Sequence, residues 1–432
     1  MASAAMQRVL LAAPRRVFAG KKQFSALVSL DYEYPGLPAA TPQPAKVTSV
    51  SVSTLPNGLT VATEDSCVNS TVIMTYPKAG SAGESLDEQG AALMNKCMNF
   101  KSGSGLSSIL INRTIEDAGG LPFTTLNRTG ASLGFTVAPE MAAGLVPLLA
   151  TDCSFEKWDV RDALALANTE AEVAGTSAQI VLTENVFAAA YGPQSPAGRP
   201  LYSAPPSLDA IRSFRSRAYG LKDAVLTVTG VKDHAAFCAE VESYLADSPV
   251  GAGSLPSLAY IGGESRVATQ GSGYAHVAIA FPAPASSAVA TVVKHFFSAV
   301  GGSSGVSGFT ADGLVGLYAG SASAGEVTDA MVKVATTSVS ADTLQRAKAL
   351  AKGEALLALE SGSKALASAI SASVLSGQGF GGPKDIVSAY DAVSEAHVKQ
   401  ALAAMLKNNP SLAAVGDIAS VPYHATLRAN FA

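Results

Sequence analysis

Valines alternate with serines at Val50 and Val52, Asn57-Gly58 follows, and Leu59 and Val61 open a return run, a pattern that predicts a β-hairpin. Residues 71–76 form a second β-rich run. From Gly90 the apolar spacing lengthens to that of a helix. It predicts helices over 90–100 and 106–117, the second stopped by Gly119-Gly120. Residues 135–137 read as strand and 139–149 as helix, with Pro139 suited to the first turn. Helices over 155–174, 177–191 and 208–219 surround a Pro/Gly-rich loop at 192–206. A strand at 224–229, ended by Gly230, and a helix over 234–245 close this half.

The same order then returns. Strands are expected at 266–269 and 276–281, a helix at 288–300, a strand at 314–318 and a helix at 325–337. Long helices follow at 341–360 and 363–375, then a loop, helices at 383–390 and 395–407, and a strand at 411–415 ended by Gly416. Gly230 and Gly416 stand 186 positions apart, and so do Phe155 and Ala341 at the heads of the long helices. A constant shift across different element types points to duplication of one unit. The expected fold class is α+β, two homologous domains, each a mixed β-sheet with packed helices.

Of 432 residues 48% are apolar and 15% charged, against about 25% charged in an ordinary soluble domain, which excludes a disordered chain. So little charge suits a subunit whose faces are covered by partners. The net charge is −4 and the body carries no basic block, which argues against nucleic acid as partner. Cys67, Cys97, Cys153 and Cys238 form no Cys-x-x-Cys pair, so a zinc ribbon or redox dithiol is excluded and reduced, mostly buried thiols are expected. The uncharged stretch near 277–293 is broken by Pro282 and Pro284 and is too short to span a bilayer.

The first thirty residues hold Arg8, Arg15, Arg16, Lys21 and Lys22 and no acid, the composition of a mitochondrial transit peptide. Cleavage is expected between Phe18 and Lys22, leaving a body near −9 with 25 basic and 34 acidic residues. The expected organisation is a transit peptide at 1–22, a Pro-rich extended leader at 23–47, a first domain at 48–250, a linker at 251–256 and a second domain at 257–432.

Leu55-Pro56-Asn57-Gly58-Leu59, Lys78-Ala79-Gly80-Ser81 and residues 90–101 resemble the opening of the mitochondrial processing peptidase (pitrilysin-type) metalloprotease family. Further matches are 155–158, Glu184-Asn185 with 188–191, Asp312-Gly313-Leu314 and 322–327, so the resemblance runs from about Ser51 to Phe431. Peptide-cleaving members carry His-x-x-Glu-His on the first helix, two zinc ligands and the base that deprotonates the zinc-bound water. The resemblance places those positions at Leu93, Met94, Asn95, Lys96 and Cys97, where both histidines are absent and lysine replaces the glutamate. No histidine precedes His234. A cation about 4 Å from a bound metal costs roughly 4 kcal/mol per unit charge at an effective dielectric of 20. The family's later glutamate falls near Glu170 or Glu172, which is expected to have nothing left to cooperate with.

No catalytic, cofactor-binding or metal-ligating residue is therefore assigned, and no cofactor is called for. The resemblance instead implies the family's non-catalytic branch, structural subunits of ubiquinol–cytochrome c reductase on the matrix face of the mitochondrial inner membrane. Such a subunit would pair with the core protein 1 paralogue beside cytochrome b, cytochrome c1 and the iron–sulfur protein in a dimeric complex. It would meet the membrane through partners only. The alternative branch binds presequences for a zinc-bearing β partner, using a glycine-rich loop for which 301–308 is a short counterpart or a plain connection. Gly301-Gly302-Ser303-Ser304-Gly305 fits the Gly-x-Ser-x-Gly pattern, but a helix precedes it where a nucleophile elbow needs a strand. No two histidines stand four apart, so packing or surface roles are expected of them.

Overall fold

The computed structural model describes residues 49–431, except Thr151, Asp247, 252–254, 256–258 and 270–272. The transit peptide, the leader and most of the linker lie outside the described residues.

In the first half β1 (Val50–Thr54) and β2 (Thr60–Glu64) form the hairpin, and β3 (Ser70–Tyr76) follows. Next come α1 (Ala91–Met98), α2 (Ser108–Asp117), β4 (Leu121–Leu126), β5 (Ala131–Val137) and α3 (Ala142–Leu145). The half ends with α4 (Lys157–Thr176), α5 (Ala178–Tyr191), α6 (Leu208–Ala218), β6 (Val225–Val228) and α7 (His234–Tyr244). The second half opens with β7 (Gly263–Ala268), β8 (Ala275–Pro282), α8 (Ser287–Gly301), β9 (Ser307–Ala311) and β10 (Leu314–Ser321). It continues through α9 (Ala324–Thr336), α10 (Ala341–Glu360), α11 (Ser363–Leu375), α12 (Pro383–Asp391), α13 (Glu395–Leu406), β11 (Ser411–Gly416) and α14 (His424–Ala429).

The first sheet has the order β1-β2-β6-β3-β5-β4 and the second β7-β11-β8-β10-β9. Without β1 the two orders superimpose strand for strand. Each sheet has one parallel contact in the same place, β2 with β6 and β7 with β11, and every other neighbour is antiparallel. At each far edge a phenylalanine faces a glycine across the ladder, Phe123 opposite Gly134 and Phe309 opposite Gly316. A Cβ at either glycine would meet a backbone carbonyl oxygen of the next strand at 2.2–2.3 Å, so only glycine fits there. The long helices also correspond: α4 turns Ala163 and Ala167 inward, α10 turns Ala347 and Ala351 inward, and these small faces let α4 lie on α1 and α10 on α8. Fold class and duplication are thus as expected from the sequence.

Each sheet is covered on its second face by a helix from the opposite half. β3 is buried throughout: Val72, Met74 and Tyr76 enter the first core, while Thr71 and Thr75 bond to Ser363 (2.8 Å) and Ser371 (2.9 Å) of α11. Reciprocally, Leu182, Val186 and Phe187 of α5 pack on Ala278, Ala280 and Ala413 of the second sheet. The small residues of α11 and of the second sheet permit the close approach, and the hydroxyl pairs satisfy the buried threonines.

Several elements differ from the sequence reading. The helix expected at 139–149 is three short pieces, 3-10 turns at Pro139–Met141 and Val146–Leu149 around α3, because Pro147 has no N–H to continue the ladder. The strand expected at 135–137 extends over all of β5, and β4, β9 and α14 are additional. All four cysteines are free thiols, and all but Cys67 are buried.

Candidate functional site

α1 begins at Gly90, whose φ of +91° suits glycine and where a Cβ would meet the Ala204 carbonyl oxygen at 2.4 Å. The Glu84 carboxylate caps it, accepting the N–H of Gly90 (3.2 Å) and Ala92 (2.7 Å). Burial pushes Glu84 up to about 7, against the opposing pull of those two N–H groups and of Arg199. Seven of the eight residues of α1 are buried; Lys96 is the exception. Leu93 and Met94 fill the first core, and Asn95 donates through Nδ2 to the carbonyls of Ala91 (2.9 Å) and Ile211 (3.1 Å).

Lys96 points toward α4, where its Nζ donates to both oxygens of Glu170, at 2.6 and 2.9 Å. About a quarter or less of each side chain is exposed. Glu170, expected to have nothing left to cooperate with, thus has an ammonium as its partner. Glu172, the other candidate, is exposed on α4. Lys96, Cys97, Phe123, Leu166 and Glu170 line a cavity of about 250 Å³ between α1, β4 and α4. Burial first, and the Glu170 carboxylate second, push the Cys97 thiol up to about 11, so it is protonated at neutral pH. Two apolar side chains, an amide, an ammonium already salt-bridged and a neutral thiol do not fit zinc, which needs three protein ligands in a catalytic site. Among the described residues no three His, Cys, Asp or Glu side chains gather as a metal site.

Gly301 ends α8, Gly302–Ser304 is a 3-10 turn, and β9 follows after Gly305 and Val306. A Cβ on Gly308 would overlap the Lys294 carbonyl at 2.0 Å, so this glycine serves close packing. The histidines occupy structural positions. His234 bonds Ser53 Oγ through Nε2 and Thr63 Oγ1 through Nδ1, both at 2.8 Å, tying α7 to the hairpin. His276 bonds the Tyr318 hydroxyl at 2.9 Å, and His295 meets Glu354 at 2.6 Å. His397 closes the capping box of α13, and His424 bonds the Pro410 carbonyl. Sequence reasoning missed the Ser53–His234–Thr63 line because His234 lies more than 170 positions from both of its partners.

Known proteins share this architecture. No family model matches the sequence. The probable mitochondrial-processing peptidase subunit alpha-2 of Arabidopsis thaliana is 30% identical over 60% of this chain and 54% of its own length. The match thus spans about half the length of such plant relatives. Cytochrome b-c1 complex subunit 2 of Mus musculus is 26% identical over 88% of this chain and 92% of its own length. Among solved structures, a chain of complex III2 from Candida albicans superimposes with a TM-score of 0.71, covering 89% of this chain and all of that one at 17% identity. Sequence and fold point the same way: the chain is similar in sequence to mitochondrial-processing peptidase α subunits and to subunit 2 of the cytochrome b-c1 complex, and it shares its fold with a chain of complex III2.

Proposed function

We propose that this chain is the core 2 subunit of mitochondrial ubiquinol–cytochrome c reductase, complex III, a structural member without catalysis of its own. The observation that carries this reading is the nearly end-to-end match to subunit 2 of the mouse cytochrome b-c1 complex. The Lys96–Glu170 pair supports it, since the family's zinc motif is lost and an ion pair holds α1 to α4 in its place. The large apolar side chains left exposed on α2 and α4, among them Ile109, Trp158 and Val173, suit faces covered in an assembly. In this reading the subunit lies peripherally on the matrix side, paired with core protein 1 and supporting cytochrome b, cytochrome c1 and the iron–sulfur protein. In the same reading its contact with the membrane runs through those partners; no described helix is long and apolar enough to cross a membrane.

The 30% identity with the plant peptidase α subunit favours a second reading, a presequence-binding partner of a zinc-bearing β subunit. Purification of the tagged full chain from its own mitochondria separates the two. Comigration on a native gel with a band showing b- and c-type haem spectra is expected. A haem-free soluble heterodimer that contains zinc and cleaves leader peptides would overturn the first reading in favour of the second.

A further inference from the structure

We infer that a cavity beside α6 binds a phosphate monoester. The cavity holds about 300 Å³, at the lower end of the range for small-ligand sites, and is walled by α6, by residues 149, 150 and 152–155, and by the end of β3. Arg212 and Arg215 stand one helical turn apart on α6 and both line it. Among the described residues neither forms an ion pair, and Arg215 donates through Nη1 to Asn99 Oδ1 at 3.2 Å.

Each guanidinium is instead stacked on an aromatic face, Arg212 over Phe155 at 5.4 Å and Arg215 over Tyr219 at 4.6 Å. Stacking holds the planes of the forks, and apart from the Arg215 Nη1 bond to Asn99 their N–H groups can turn to an oxyanion. Arg212 is exposed and Arg215 half-buried, so one charge sits near the rim and the other deeper. Phe155 holds its place under Arg212 at a φ of +53°, a region that bulky residues rarely occupy. Ser154 and Ser216 add hydroxyl donors, and Tyr76 and Tyr219 offer an aromatic wall to an organic group.

Two forks and two hydroxyls match the three terminal oxygens of a phosphate monoester dianion better than the two of a carboxylate. The opposing charge in the lining is Asp152, which is exposed. The Cys153 thiol, raised by burial, adds no further charge. The monoester could be a free metabolite or the headgroup of a phosphatidic-acid-type lipid, and this inference stands apart from the assembly role proposed above.

Isothermal titration of the purified full chain with phenyl phosphate, and flotation with phosphatidylcholine vesicles with or without phosphatidic acid, tests it. Saturable one-to-one binding of phenyl phosphate supports a free ligand, and flotation only with phosphatidic acid supports a headgroup. In either arm Arg212→Gln, a change at an exposed position, is expected to weaken binding at least tenfold, and Asp152→Asn to strengthen it. Absence of binding in both arms, or an R212Q variant that binds as the wild type does, would overturn the inference.

Discussion

At the scale of single residues, the Lys96–Glu170 ion pair is what joins α1 to α4 through charge. Lys96 and Glu170 are both mostly buried, so removing one partner leaves a poorly solvated charge. Lys96→Met is expected to destabilise the protein by about 1–2 kcal/mol, below the value for a fully buried pair because water still reaches both groups. Lys96→Met with Glu170→Gln should recover most of the loss in urea denaturation; a single variant as stable as the wild type would show that the pair contributes nothing. Glu84 supplies a pH signature of its own. Its folded pKa of about 7 exceeds the ordinary 4.5, so its protonated form favours folding. That contribution is complete below about pH 4.5 and is lost as pH rises through 7, by up to about 3 kcal/mol. Glu84→Gln should therefore flatten the stability profile between those values relative to the wild type, and parallel profiles would refute the assignment. The degenerate motif was legible in the sequence because it is local. Glu170's new partner was not, because the pairing depends on which faces of two helices meet.

Among elements, the ones the sequence concealed share a physical character. β4 and β9 are the far edges of the two sheets, half-exposed and partly polar, so neither the alternation of a half-buried strand nor an unbroken apolar run marks them. The central strands β3, β8 and β11 are almost wholly buried and showed plainly as apolar or β-rich runs. The helices with side-chain caps were likewise legible, α10 starting at its Ser340–Thr343 capping box and α5 at Ser177. What helix periodicity could not say is which sheet a helix covers. α5 belongs by chain order to the first half and by packing to the second. Leu182→Ala, at a position 3% exposed, should cost about 2–4 kcal/mol. More tellingly, hydrogen exchange should show the amides of β8 and β11 losing protection while those of β3 keep theirs. Loss confined to the first sheet would contradict the exchange.

For the whole molecule, constant spacing in the sequence revealed two copies of one unit, and the two sheet orders agree with it strand for strand. The same spacing puts a linker near 251–256 between two domains, which leaves open whether each can stand alone. The packing argues that neither can. Cut between the halves, the first fragment would expose Leu182, Val186, Phe187 and Tyr191 of α5, and it would lose the α11 hydroxyls that bond Thr71 and Thr75. The second fragment would bare the alanine-lined face of its sheet and strand α11 in water. Each loss removes a helix-sized apolar contact, comparable with the whole net stability of a typical domain of about 5–15 kcal/mol. Fragments 49–250 and 259–431 expressed separately are therefore expected to aggregate or to lack a cooperative thermal transition, whereas coexpressed they should elute together and unfold as one. A fragment 49–250 that is monomeric by size exclusion and melts cooperatively alone would mean that the exchanged helices are ornament, and that the duplication left two independent domains after all.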